Sequence, residues 1–301
     1  MPEAKNGLPA LHTVLFTAAA MVAFAANSLL CRLALQRATI DAASFSSIRL
    51  ISGALMLALV VRLRSGRGVP TRPDWLAAAM LFAYVGFFSF AYLTLSAGTG
   101  ALILFGAVQV TMFSAGLRAG EAFRPIAWLG LALTVAGFVY LISPGITAPA
   151  PLGAALMAAA GVAWGIYSLR GRGSASPLTA TAGNFLRAAP MALALSALLY
   201  GRSHATPTGI LLAVTSGALT SGIGYVIWYA ALNGLSAMRA ATVQLSVPLI
   251  AAFGGVFLLS ESVTPRLATA SAAILGGIAL VLTSRARGAH TARGSRRRTA
   301  E

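Results

Sequence analysis

Glu121-Ala-Phe-Arg-Pro125 recurs in the second half of the chain as Glu261-Ser-Val-Thr-Pro265, and each copy leads into an apolar run with a glycine, Gly137 or Gly277, at the same offset. Working outward at nearly the same shift, Phe24 matches Trp164, Ser28 matches Ser168, Arg49 matches Arg187 and Tyr92 matches Tyr229. Self-similarity at a fixed period marks a duplicated unit. Each unit reads as five apolar spans. Because five is odd, the second copy enters a bilayer upside down relative to the first, an arrangement found in secondary transporters.

Hydrophobic residues make up 58% of the chain and charged ones 9%, with a mean hydropathy of +0.82. That leaves too little polar surface to cover a water-soluble globule of 301 residues. Crossing about 30 Å of hydrocarbon takes roughly 20 apolar residues. Ten stretches qualify: 11–31, 42–61, 75–96, 99–117, 125–143, 151–169, 178–200, 208–231, 237–259 and 266–284. The expected fold is an all-α membrane protein, with ten transmembrane helices in two inverted five-helix repeats around a central cavity. Residues 1–10 form an N-terminal tail, 11–143 the first repeat and 144–150 a linker whose prolines stop it continuing as helix. Residues 151–284 form the second repeat, and 285–301 a basic C-terminal tail expected to be unstructured.

The net charge is +16, from 22 basic and 6 acidic residues, with Lys5 the sole lysine. Sixteen of the basic residues fall on the side of the N-terminus, and only Arg32, Arg37, Arg202 and Arg266 on the other. This bias predicts that both termini are cytoplasmic, and it accounts for the arginines without nucleic acid. Ala23-Phe24-Ala25 resembles a signal-peptide cleavage site, but the match of span one to span six argues that it is retained. Cys31 is the only cysteine, which excludes an internal disulfide and a cysteine-based metal site.

Polar side chains far from both water layers are costly and mark cavities. We read as substrate-binding Asn27 on span one, Tyr84 and Tyr92 on span three, Gln109 on span four and Trp164 and Tyr167 on span six. Tyr225, Trp228 and Tyr229 on span eight and Gln244 on span nine complete the set. Amides offer neutral donors and acceptors, and Tyr and Trp offer flat apolar walls with a polar handle, a lining suited to a small amphipathic solute. Taken singly, the same residues also suit interhelical hydrogen bonding and packing. Arg49 and Arg187 lie about one-third of the way into spans two and seven, where a long side chain reaches the headgroups, so both are read as structural.

The acidic residues Glu3, Asp41, Asp74, Glu121, Glu261 and Glu301 all map to tails, loops or helix ends, and His12, His204 and His290 to the edges. A deep carboxylate relay is missing, which favours facilitated diffusion or exchange over proton-coupled pumping. No intramembrane enzyme, cofactor or metal is expected either, because no deep histidine or acidic cluster is present. Glu121 and Glu261 each close a helix ahead of Pro125 or Pro265, a residue tolerated at the first helical position, and are assigned to hairpin geometry. Pro190 and Pro248 are expected to kink spans seven and nine.

The run Tyr229-Ala-Ala-Leu232, Ala240-Ala-Thr-Val-Gln244-Leu-Ser-Val-Pro248, Glu261 and Ala273-Ile-Leu-Gly276-Gly-Ile-Ala-Leu280 resembles the EamA-type drug/metabolite transporter superfamily. Gly100-Ala-Leu-Ile-Leu-Phe-Gly-Ala-Val-Gln109 is similarly close in the first half, and the resemblance covers about residues 11–284. It implies spans one, three, four, six, eight and nine around the path, with five and ten peripheral. It also implies alternating-access export of small metabolites, foremost neutral or aromatic amino acids in the manner of YddG-type exporters. The alternatives are a carrier of phosphorylated metabolites or drugs, and a non-transporting protein such as a lipid scramblase. Expected partners are a small-molecule substrate and membrane lipid, and the expected state is a monomer. Gln109 and Gln244 stand slightly closer together in sequence than Glu121 and Glu261, so the two amides are not strict counterparts.

Overall fold

The computed structural model describes residues 10–65, 74–120, 123–171, 174, 176–235, 240 and 243–298. These form α1 (Ala10–Gln36), α2 (Ala42–Ser65), α3 (Trp75–Ala91), α4 (Ala97–Arg118), α5 (Pro125–Ile142), α6 (Pro151–Gly171) and α7 (Pro177–Leu198). They continue with α8 (Pro207–Leu232), α9 (Ser246–Leu259) and α10 (Pro265–Arg298). α8 is one rod in three parts, α-helical over Pro207–Val214, π-helical over Thr215–Ile223 and α-helical again over Gly224–Leu232.

Among the described residues, α1, α2, α4, α5, α6, α8 and α10 each hold a stretch long and apolar enough to cross a membrane. α3, with 17 residues, and α9, with 14, are apolar but shorter. Large apolar side chains such as Leu55, Leu59, Leu129, Phe253 and Phe257 stand exposed, as on a lipid-facing surface.

The helix starts follow from local chemistry. Asp74, Ser96 and Thr206 accept the backbone N–H groups of Ala77, Thr99 and Gly209, capping α3, α4 and α8. Asp41 does the same for α2 through Ala43 and Ser44. Proline opens α5, α6, α7, α8 and α10. Gly120 after α4 and Ser260 after α9, each directly ahead of its repeat's glutamate, both adopt positive φ, 76° and 56°, the left-handed turn that ends a helix.

Three sequence expectations change. Span nine is not one helix from 237: Gln244 and Leu245 form a turn and α9 starts at Ser246, while residues 236–239 and 241–242 lie outside the described residues. Pro248 therefore falls in the first turn of α9, where N–H groups lack intrahelical partners anyway, and it starts that helix instead of kinking it. The basic tail continues α10 as helix to Arg298, since this stretch is rich in Ala and Arg and has no proline to stop it. Pro190 sits inside α7, which runs on to Leu198. The N-terminal tail and Glu121 lie largely or wholly outside the described residues.

Packing follows a pattern that a shift of five helices maps onto itself. α5 packs on α10 and α2 on α7; α3 packs on α6 as α8 does on α1; α4 packs on α6 as α9 does on α1. α3 also meets α7 as the π segment of α8 meets α2. At the α5–α10 crossing Gly130 and Gly277 face each other, and a Cβ on either would stand 2.5 Å from the other's carbonyl oxygen. Glycine there lets the two backbones touch.

Candidate functional site

α1, α2, α3, α4, α6, α8 and the turn before α9 converge on a cavity of about 50 Å³. α1 contributes Phe24, Asn27 and Ser28, α2 contributes Arg49, and α3 contributes Tyr84 and Phe88. Leu104 and Phe105 come from α4, Trp164 from α6, and Thr220, Ser221, Tyr225 and Trp228 from α8, with Gln244 closing the ring. At roughly 10–15 Å³ of such space per water, it holds a few waters at most.

One wall is aromatic and crosses both halves of the chain. Tyr84 and Trp164 have ring centroids 4.8 Å apart, Trp164 stacks on Tyr225 at 5.8 Å, and Phe24 touches Tyr225 and Trp228 at 5.8 and 5.9 Å. The π segment adds the hydroxyls of Thr220 and Ser221 to the lining. Asn27 Oδ1 accepts hydrogen bonds from Ser216 Oγ at 2.6 Å and Thr220 Oγ1 at 3.4 Å. Gly217 makes this possible, since a Cβ there would collide with Ser52 Oγ and the Arg49 carbonyl oxygen of α2. π-helical turns inside α-helices often sit at functional sites, because the widened ladder re-aims side chains.

Arg49 corrects the sequence reading. Its side chain does not reach the headgroups; the residue is 1% exposed, and its guanidinium lies 5.3 and 5.0 Å from the ring centres of Tyr84 and Phe88. Nε donates to Ser221 Oγ at 3.3 Å and Nη2 to Tyr84 OH at 3.2 Å. Sequence gives depth but not side-chain direction, and here the gap between α3 and the π segment draws the arginine inward.

Of the residues read from sequence, the cavity gathers Asn27, Tyr84, Trp164, Tyr225, Trp228 and Gln244. Tyr92, Tyr167, Tyr229 and Gln109 are outside its lining. Tyr92 is fully buried, donates to the Ala97 carbonyl at 3.3 Å and meets Phe88 edge-on at 4.7 Å. The hydroxyls of Tyr167 and Tyr229 converge on Thr181 Oγ1 at 3.4 and 2.7 Å, behind Trp164 and Tyr225. Phe24, Phe88, Phe105, Thr220 and Ser221 escape a reading by polarity and depth, since apolar rings and small hydroxyls look alike on lipid-facing and cavity-facing surfaces.

An ion-pair latch ties the end where α1, α3 and α9 finish and α4 begins, beside a second cavity of about 370 Å³ lined by both of its residues. Arg32 Nε donates to Glu261 Oε1 at 3.0 Å, and Arg32 Nη1 donates to the carbonyls of Tyr92 and Leu93 at 2.9 and 3.3 Å. Glu261 Oε2 accepts the Ala97 N–H at 2.8 Å. The two side chains are 14% and 11% exposed. Glu261 thus does more than shape a hairpin: it ties three elements together. At the opposite end of α3, Asp74 pairs with Arg170 of α6 at 3.0 Å in a more exposed setting. Asp41 braces α2 against the loop before α8, accepting the His204 N–H at 3.0 Å. Burial works against its ionisation, but hydrogen bonds from Ser44 and His204 outweigh that and hold its pKa below the usual 3.8.

A family model described as the EamA-like transporter family matches residues 151–283. A Pseudomonas aeruginosa protein described as uncharacterized protein PA1977 is 51% identical over 278 residues, 92% of this chain and 97% of that protein. A crystal structure with 22% sequence identity superposes with a TM-score of 0.62 over 89% of this chain and 97% of its own, so the fold is shared. These matches place the chain in the EamA-like transporter family: it is a multi-pass membrane transporter and not an enzyme.

Proposed function

We propose that this protein exports small amphipathic metabolites across the bacterial inner membrane by alternately exposing the central cavity to each side. In this reading the ten helices are spans of two inverted repeats, both termini are cytoplasmic, the protein acts as a monomer, and amino acids with neutral or aromatic side chains are the leading solutes. The observation that carries it is the cavity itself, walled by rings, neutral polar groups and the Arg49 guanidinium drawn from both halves of the chain. Among the described residues Asp41, Asp74 and Glu261 are all held at helix ends, leaving no carboxylate at the centre to couple protons. Exchange or facilitated diffusion follows.

Counterflow tests this reading. Proteoliposomes preloaded with an unlabelled amino acid should accumulate the labelled solute from outside, and Trp164→Ala or Gln244→Ala should slow accumulation without reducing protein in the membrane. If no small solute exchanges while labelled lipid flips between leaflets, the protein is a scramblase and the transport reading is wrong.

A further inference from the structure

Resting on the transport reading, we propose that the carried solute is a monocarboxylate with a flat apolar body, and that Arg49 binds its carboxylate. The buried guanidinium is a cation with no counter-charge among the residues lining the cavity. Arginine keeps its proton in any protein environment, so burial cannot be relieved by neutralisation. Burying an ion is costly unless charge and hydrogen bonds are matched. What Arg49 has instead is partial: one hydroxyl on Nε, one on Nη2, and two ring faces. Among the described residues, Arg49 Nη1 has no hydrogen-bond partner at all, though it is fully shielded and belongs to a residue lining the cavity. Its N–H donors await an acceptor that the described residues do not supply.

The missing group is specified by what surrounds it. An anion with two oxygens meets arginine donors in short, charge-assisted bonds, which a neutral acceptor cannot equal. A single cation neutralises a single negative charge, so a dianionic phosphate would leave charge uncompensated in this low-dielectric space. The remaining wall, Phe24, Trp164, Tyr225 and Trp228, suits a planar apolar body. No described carboxylate faces the cavity to receive an ammonium. An arylcarboxylate should therefore bind better than the corresponding amino acid, and an arylamine should bind worst. The present void is sized for the head group; the body enters as the bundle opens.

Binding to the purified native protein, read by thermal stabilisation and by quenching of tryptophan fluorescence, tests this with four probes: 3-phenylpropionate, 3-phenylpropanamide, phenylalanine and phenethylamine. The carboxylate should bind at least about tenfold more tightly than its amide, phenylalanine should fall between them, and phenethylamine should not bind. Arg49→Gln should abolish the preference for carboxylate over amide, and Arg49→Lys should retain part of it. Equal binding of acid and amide to the native protein, or a preference that survives Arg49→Gln, overturns the inference, as does failure of every carboxylate to bind. Should the glutamine variant not fold, the acid–amide comparison on the native protein decides alone. Solutes that exchange without this preference sink the inference and leave transport standing. Carboxylates that bind as described but never exchange do the reverse.

Discussion

The Arg32–Glu261 pair makes a sharp quantitative test, because its worth depends on whether it is a surface ornament or a latch. At an effective dielectric of about 20, unit charges about 4 Å apart attract by about 4 kcal/mol, part of which is returned as lost hydration. Exposed pairs are worth about 0–1 kcal/mol, whereas removing one partner of a buried pair costs about 3–5 kcal/mol. With side chains 14% and 11% exposed, and three further hydrogen bonds from Arg32 and to Glu261, the pair sits nearer the buried limit. We expect a coupling of about 2 kcal/mol in a cycle of Arg32→Gln, Glu261→Gln and the double variant. The chain carries its own reporter: Cys31, its only cysteine, is fully buried and adjoins Arg32. If thiol labelling follows opening of this end, about 2 kcal/mol corresponds to a roughly 30-fold faster reaction with maleimide in either single variant. A Cys31→Ala control fixes the background. Unchanged labelling in both single variants, with a coupling no larger than the about 0.5 kcal/mol typical of an exposed pair, would show that the pair does not hold this end shut.

Three further expectations concern stability in detergent. Gly277→Ala should lower it by about 1–3 kcal/mol, because the new methyl meets the Gly130 carbonyl and Thr134, whereas Gly276→Ala, with open space around it, should be neutral or stabilising by about 0.5–1 kcal/mol. Equal shifts in melting midpoint would contradict the α5–α10 crossing. Ser260→Gly should stabilise by about 1 kcal/mol by relieving a left-handed L-residue, and a loss measured by denaturant titration would count against that backbone. Asp41→Asn should cost about 1–2 kcal/mol at pH 7. Since the native carboxyl titrates below its usual value, its contribution is complete above that value and fades as pH falls through the lowered one. Unfolding curves at several pH values should therefore converge only in acid; a gap that widens as pH drops would refute the assignment.

Much of the architecture is legible in the sequence because it is written in spacing. The repeated Glu-x-x-x-Pro corners foretell where α5 and α10 begin, and the left-handed residues Gly120 and Ser260 sit one position ahead of those glutamates. The apolar runs locate most helices, but Gln244 and Leu245 look helical by composition, and only the folded chain reveals their turn. The aromatic wall is readable in part, since Trp164, Tyr225 and Trp228 have polar handles that look costly at depth. Phe24 and Phe88 give no such signal. For Arg49 the sequence supplies the right depth but the wrong radius, because radial direction depends on neighbours from α3 and α8 that the linear pattern does not specify. The Arg32–Glu261 latch joins residues 229 positions apart, and each has an adequate local explanation by itself.

The π segment of α8 has an evolutionary corollary. Along an ordinary α-helix, removing one residue rotates everything beyond it by about 100°, which would swing Tyr225 and Trp228 out of register with their partners. Within Thr215–Ile223 the backbone already accommodates surplus length in wider turns, so a deletion there can be absorbed by tightening the coil. Homologous chains that differ by one residue in this stretch can thus retain the same downstream phase while altering the hydroxyls opposite Asn27, a route by which ligand preference could diversify without rebuilding the scaffold.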